Sequence, residues 1–325
     1  MIKEVFILLI GFIALIKGAD LFVKGSSDTA KNLKVPAVII GLTIVALGTS
    51  APELTVSVSA ALAGSNEISV SNVVGSNIFN LLVVLGACAM VKPLTVETVY
   101  IKRDLPISIG AAAIVLLFCL DYGTLRFSSS YFADGSSVAG SISRFIGIVL
   151  LLLFLLYMYF LIMEAKKKPE VPAALDFLPL WKCILLIIIG LAMIITGGQA
   201  VVYSAKEIAR MAGMTETLIG LTIVAVGTSL PELVTSIVAT KKGETGLAIG
   251  NVVGSNIFNM LFILGVSGAV HPISVNVASV VDLAVLILIS FLTLVFSGTS
   301  HRINRIEGYS MVLIYIAYVG YAIVR

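Results

Sequence analysis

Apolar residues in this chain come in long unbroken runs, such as Ile148–Ile162 (IVLLLLFLLYMYFLI), and polar residues collect between the runs. Such runs do not alternate every second residue as β-barrel strands must, so the pattern predicts helices. Ten segments stand near the ~20 residues that a helix needs to cross ~30 Å of hydrocarbon. The first five are Val5–Val23, Pro36–Leu62, Ile68–Val91, Leu105–Leu120 (short for a span) and Phe145–Met163. The second five are Ile184–Tyr203, Thr217–Thr240, Gly246–Val270, Val275–Phe296 and Tyr309–Val324. Lys17, Gly18, Ala19 and Asp20 make no convincing cleavage site after the first run, which is expected to stay in the fold as a helix.

The runs also repeat. Gly41–Leu54 reads GLTIVALGTSAPEL and Gly220–Leu233 reads GLTIVAVGTSLPEL, twelve of fourteen positions matching at an offset of 179. The same offset lays Asn72–Asn80 (NVVGSNIFN) on Asn251–Asn259 with nine of nine identical, and pairs Gly11 with Gly190 and Gly18 with Gly197. The expected architecture is therefore an all-α polytopic membrane protein of about ten helices in two five-helix repeats. Residues 1–163 form the first, 164–182 a polar linker and 183–325 the second. Because five is odd, the second repeat enters the bilayer from the opposite side, with broken helices and the substrate site near the midplane.

Composition sharpens this reading. Of 325 residues 59% are hydrophobic and 12% charged, with a net charge of +3, which excludes a soluble two-domain enzyme and leaves no basic face for nucleic acid. Six Lys and Arg fall on the face carrying both termini and fifteen on the other. The positive-inside bias then puts both termini outside and linker 164–182 in the cytoplasm of a cell inner (plasma) membrane protein. Cys88, Cys119 and Cys183 show no paired spacing, and His271 and His301 lie outside the runs, so neither a metal cluster nor a histidine relay is indicated.

Glu53 and Glu232 are the two acids well inside expected spans, and they are repeat mates. An ionised carboxylate at the bilayer centre costs about 2.5–3.5 kcal/mol on insertion scales, and an acid placed there is functional by default. No Lys or Arg stands at similar depth, so the partner is expected to be a bound cation or a proton. Thr49, Glu53 and Ser57 are spaced four apart, as are Thr228, Glu232 and Ser236, so each trio lines one helix face. Pro52 and Pro231 each remove a donor, which is expected to free carbonyls around Ala46–Gly48 and Ala225–Gly227. Asn72, Ser76 and Asn80 form another stripe, repeated as Asn251, Ser255 and Asn259. Hard oxygen donors of this kind suit Ca²⁺, which takes about six to eight of them. Asp20, Asp28, Asp121 and Asp282 read as interfacial or solvated. One membrane Pro, Ser or Gly-Ser pair alone would mean only a kink or tight packing.

GTSAPE (Gly48–Glu53) and GTSLPE (Gly227–Glu232), each followed by NVVGSNIFN, resemble the two alpha-repeats of the sodium/calcium exchanger family, within the calcium/cation antiporter superfamily. The short linker is similar to the prokaryotic type. The resemblance puts the alpha-1 motif at 41–86 and the alpha-2 motif at 220–265. It implies that Glu53 and Glu232 coordinate Ca²⁺ and take part in Na⁺ binding, with Thr49 and Thr228 beside them. It also implies ion-coordinating or passage positions at Ser50, Ser229, Ser76 and Ser255, backbone carbonyls from Ala46 and Ala225, and Asn80 and Asn259 at the centre. Several relatives carry Asp at one of those last two positions, whereas both are Asn here.

The function expected is a secondary antiporter, not an enzyme, that exchanges Na⁺ for Ca²⁺ by alternating access and extrudes Ca²⁺. The resemblance suggests three Na⁺ per Ca²⁺. No cofactor is expected; the partners are the two ions and the lipid bilayer, and a monomer is the working expectation. The alternatives are a Ca²⁺/H⁺ or K⁺-dependent antiporter and, less favoured, a cation channel, which duplicated inverted halves do not suit. An intramembrane hydrolase would need a nucleophile–base pair or an HExxH motif that the chain lacks.

Overall fold

The computed structural model of the chain describes residues 2–64, 66–120, 138–167, 177–213 and 225–324. Helix α1 (Ile2–Leu33) leads into a bent pair, α2 (Ala37–Thr49) and α3 (Ala51–Leu62), then α4 (Ile68–Val91), α5 (Leu105–Cys119) and α6 (Arg144–Lys167). After the linker come α7 (Leu180–Met211), a short turn α8 (Ala225–Gly227), α9 (Leu230–Lys241), α10 (Thr245–Val270), α11 (Val277–Ser300) and α12 (Arg305–Val324). Among the described residues seven helices are long and apolar enough to cross a membrane, and the α2–α3 pair makes an eighth. Helix α5 has 15 residues, but its helical path begins earlier, through a π-helical turn at Tyr100–Asp104 that carries the polar residues the hydropathy pattern left out. The segment expected to open the seventh span lies partly at 214–224, outside the described residues.

Burial sorts the helices into layers. The apolar window of α10 is 94% buried and that of α12 only 11%, so α10 sits at the centre and α12 faces lipid. Helices α1 and α7, at 32 residues each, exceed the apolar runs that forecast them, because their polar ends continue the helix past the hydrocarbon. They pack antiparallel on small residues. A β-carbon added at Gly18 would stand 2.8 Å from the Gly190 carbonyl oxygen, and one at Gly190 would stand 2.7 Å from that of Gly18. Gly11 meets Gly197 in the same way. Since Gly11 and Gly18 are the 179-offset mates of Gly190 and Gly197, the helices exchange equivalent contacts, as an approximate two-fold axis requires.

The exchange recurs elsewhere. Gly86 of α4 meets Gly308 of α12, while Gly265 of α10, the mate of Gly86, meets Gly147 of α6. Two short antiparallel ladders, absent from the hydropathy pattern, tie the helix ends together. Strand β1 (Leu94–Thr95) pairs with β4 (Arg302–Ile303), and β2 (Val138–Ile142) pairs with β3 (Ile273–Asn276).

Candidate buried polar site

Pro52 and Pro231 sit in the first turn of α3 and α9, where a missing N–H costs no helical bond. The helix breaks just before them, at Ser50 and Ser229, and α2 and α3 are bent by 49°. Each break opens a new helix N-terminus inside the protein, with Glu53 or Glu232 in its first turn. The unpaired amides and the helix dipole favour negative charge there. Both side chains are fully buried.

The two halves bind each other's acids. Ser50 Oγ donates to Glu232 Oε1 at 3.0 Å, and its mate Ser229 donates to Glu53 Oε1 at 3.1 Å. Ser76 Oγ reaches the same Glu53 oxygen at 3.3 Å and lies 3.0 Å from Ser229 Oγ. Asn72 Nδ2 holds Ser57 Oγ at 2.9 Å and Asn251 Nδ2 holds Ser236 Oγ at 2.9 Å, fixing α3 to α4 and α9 to α10. Thr49 Oγ1 lies 2.9 Å from Asn251 Oδ1 and 3.5 Å from Ser255 Oγ.

A crossing of asparagines forms the centre. Asn77 and Asn256, repeat mates, donate to each other's backbone carbonyls at 3.2 and 3.3 Å. Asn80 Nδ2 donates to Asn256 Oδ1 at 3.2 Å, and Asn259 Nδ2 to Asn77 Oδ1 at 3.0 Å. Asn80 opens a π-helical stretch (Asn80–Val84) and Asn259 lies in its counterpart (Phe258–Ile263). A wide turn of that kind re-aims side chains and is common at functional sites. Sequence reasoning passed over Asn77 and Asn256 because they fall one position off the four-residue stripe. Their identity within the duplicated word was the signal that could have found them.

Of the residues singled out from the sequence, Thr49, Ser50, Glu53, Ser76, Asn80, Ser229, Glu232, Ser255 and Asn259 are all buried in this region. Thr228 is half-buried and borders a cavity described below. Ala46 corrects an expectation. Its carbonyl accepts the Ser50 amide at 3.0 Å, so the break at Pro52 does not release it from the helical ladder. Ala225 opens α8, but its side chain lies outside the described residues.

Among the described residues, four acceptor atoms at the centre have no hydrogen-bond donor: Glu53 Oε2, Glu232 Oε2, Asn80 Oδ1 and Asn259 Oδ1. They form two symmetry-related pairs. A buried acceptor without a donor is costly, and an ionised one more so, unless a cation supplies the missing charge. Other acids are also buried, which corrects the expectation that Asp28 is interfacial or solvated and Asp282 likewise: Asp28 is 2% and Asp282 8% exposed. Asp104 is fully buried as well. Asp28 binds Lys24 and Lys31, and Asp104 binds Arg103, which also meets Glu164. Among the described residues, Glu53 and Glu232 have no such basic partner. No three His, Cys, Asp or Glu side chains converge among the described residues, so the donor set consists of hard oxygens around two carboxylates.

A cavity of about 390 Å³ opens beside the site. Pro52, Pro231 and Thr228 line it from α3, α9 and the break before α9, and Gln199, Tyr203 and Lys206 line it from α7.

Comparison with known proteins identifies the family. The family described as sodium/calcium exchanger protein matches residues 3–163 and 182–324, leaving out most of the linker. The protein CaxA of Alkalimonas amylolytica is 38% identical over 98% of both chains. The sodium/calcium exchanger MaX1 of Methanosarcina acetivorans is 33% identical over 96% of both. The solved structure of the sodium-calcium exchanger NCX_Mj, soaked with 10 mM Na⁺ and zero Ca²⁺, superposes with a TM-score of 0.82 at 30% identity, covering 98% of each chain. Duplicated polar words that fold around two buried acids, and a family match spanning both halves, make this chain a member of the sodium/calcium exchanger family of multi-pass membrane transporters.

Proposed function

We propose that this protein is a Na⁺/Ca²⁺ antiporter that extrudes Ca²⁺, with Glu53 and Glu232 as the charged ligands of a shared ion site. The observation that carries this reading is the set of four donor-less oxygens on Glu53, Glu232, Asn80 and Asn259. Two carboxylates match the charge of one Ca²⁺, and the neutral oxygens of Thr49, Thr228, Ser50, Ser229, Ser76 and Ser255 complete a set that Na⁺ can also use. Carbonyls of Ala46 and Ala225 are further donors, that of Ala46 through its second lone pair. Because both ions need the same carboxylates they exclude one another, and that exclusion links their fluxes. An empty site leaves two unneutralised carboxylates in a low dielectric, which opposes transit without cargo.

The architecture that goes with this function is two five-helix repeats of opposite orientation, residues 1–163 and 183–325, making ten spans. The partner exchange between repeat mates supports it. Both termini then face outward and linker 164–182 faces the cytoplasm, in line with the Lys and Arg distribution. The test uses purified protein in vesicles, with Ca²⁺ uptake followed under Na⁺, K⁺ and H⁺ gradients imposed one at a time. Uptake is expected under the Na⁺ gradient alone; uptake driven only by a pH gradient would make the two acids proton carriers instead.

A further inference from the structure

The cavity beside the site is lined from α7 by Gln199, Tyr203 and Lys206, spaced four and three apart and so on one helix face. It is also lined by Pro52 and Pro231, each directly before one of the two acids, and by Thr228, whose hydroxyl has no partner among the described residues. The space therefore leads from the surface to the start of both acid-bearing helices. Among the described residues Lys206 is the one charged side chain lining it, and no carboxylate does. The neighbouring charges on α7, Glu207 and Arg210, pair with each other at 2.5 Å. A cation that entered by this cavity would pass a fixed positive charge on its wall.

We propose that Lys206 is a valence filter on this path: its charge disfavours a divalent ion twice as strongly as a monovalent one, and so biases the competition at the cavity toward Na⁺. This rests on the reading of Glu53 and Glu232 as an exchange site. The physics is direct. An ion of charge z in a potential φ carries energy zeφ, so if Na⁺ occupancy falls by a factor f, Ca²⁺ occupancy falls by f². A unit charge about 10 Å from the path, at an effective dielectric of about 50–80, gives f of about 2–3, hence about 4–9 for Ca²⁺.

The filter belongs to one face. The repeat mates of Gln199, Tyr203 and Lys206 are Asp20, Lys24 and Ser27 on α1. There the lysine position is taken by Ser27, which donates to Glu244 at 2.6 Å, and Asp20 is held by Lys242 at 2.7 Å. The two ends of the path therefore differ in charge although the site between them is nearly symmetric.

Vesicles of defined orientation carrying wild type, Lys206→Gln or Lys206→Arg test this, with kcat and KM measured for Ca²⁺ and for Na⁺ from the face to which the cavity opens. Lys206→Gln should lower the Ca²⁺ KM about 4–9-fold and the Na⁺ KM about 2–3-fold with kcat unchanged. Lys206→Arg should match wild type, and roughly 0.5 M inert salt should shrink the difference. Equal shifts for both ions, no shift, or an arginine variant that behaves like glutamine would overturn the filter, because a lysine that only anchors α7 at the interface leaves the ratio unmoved. Ca²⁺ binding measured by calorimetry in wild type and Glu53→Gln is the separate check on the site. A wild type that binds no Ca²⁺ removes the exchange reading, and the filter with it.

Discussion

At the scale of single residues, low exposure alone does not mark Glu53 and Glu232, because Asp28 and Asp104 are also nearly inaccessible to solvent. The difference is the partner: two lysines or an arginine in one case, only hydroxyl donors in the other. The two classes should therefore respond oppositely to neutralisation. Glu53→Gln or Glu232→Gln removes an uncompensated buried charge, so the ion-free protein should melt no lower than wild type while Na⁺-driven ⁴⁵Ca²⁺ flux disappears. Asp28→Asn instead breaks ion pairs with two part-exposed lysines and should cost at most about 1 kcal/mol, read as a lower melting temperature. Thermal melts with and without Ca²⁺ separate these outcomes, and a stabilising effect of Ca²⁺ that survives Glu53→Gln would refute the assigned role. The hydroxyl and amide stripes were legible in the sequence because a four-residue spacing is a helix face. Asn77 was not, since its role depends on the other half lying across it. Asp28 looked like an ordinary interfacial acid because a salt bridge cannot be seen before the chain is folded.

At the scale of elements, close helix approach is set by glycines at which added atoms have nowhere to go. Gly18→Leu or Gly190→Leu would drive a side chain into the facing backbone, against β-carbon distances of 2.8 and 2.7 Å. Either should separate α1 from α7 and cost more than about 3 kcal/mol, seen as loss of the monodisperse peak after detergent extraction. Gly298→Leu and Gly320→Leu, where an added β-carbon meets nothing within 4 Å, should purify like wild type. A Gly18→Leu protein as stable as the controls would mean that the helices are free to part. Hydropathy located most helices but misjudged their ends. It reads lipid contact, and α1 and α7 continue past the apolar stretch while α5 starts in a polar π-helical turn. The ladders at Leu94–Thr95 and Arg302–Ile303 were beyond its reach, for two-residue strands leave no periodicity to detect.

At the scale of the whole molecule, the duplicated sequence announced two halves, while the exchange of partners between them had to be seen in three dimensions. The departures from symmetry carry further information. The cavity beside Lys206 measures about 390 Å³, whereas that at the mate positions Val23, Lys24 and Ser27 on α1 is smaller, about 200 Å³, and there the end of α9 is strapped to α1. Lys242 binds both the side chain and the carbonyl of Asp20, and Glu244 accepts from Ser27. If the proposed antiport proceeds by alternating access, such a strap stabilises the state open on the opposite face. Lys242→Met should therefore move the population toward the other state. The pair is partly exposed, so it is worth at most about 1 kcal/mol and the shift should be up to about fivefold. A cysteine at Thr55, which lines the cavity, reports this through its rate of reaction with a membrane-impermeant maleimide. The background is low because Cys88, Cys119 and Cys183 are all buried. Labelling of Thr55→Cys should slow in the Lys242→Met background and recover when Asp20→Lys is combined with Lys242→Asp, which restores the pair with its charges swapped. Unchanged labelling in both would show that the strap carries no weight in the access equilibrium, and that closure on that face rests on the packing of Ala19, Phe22 and Val23 alone.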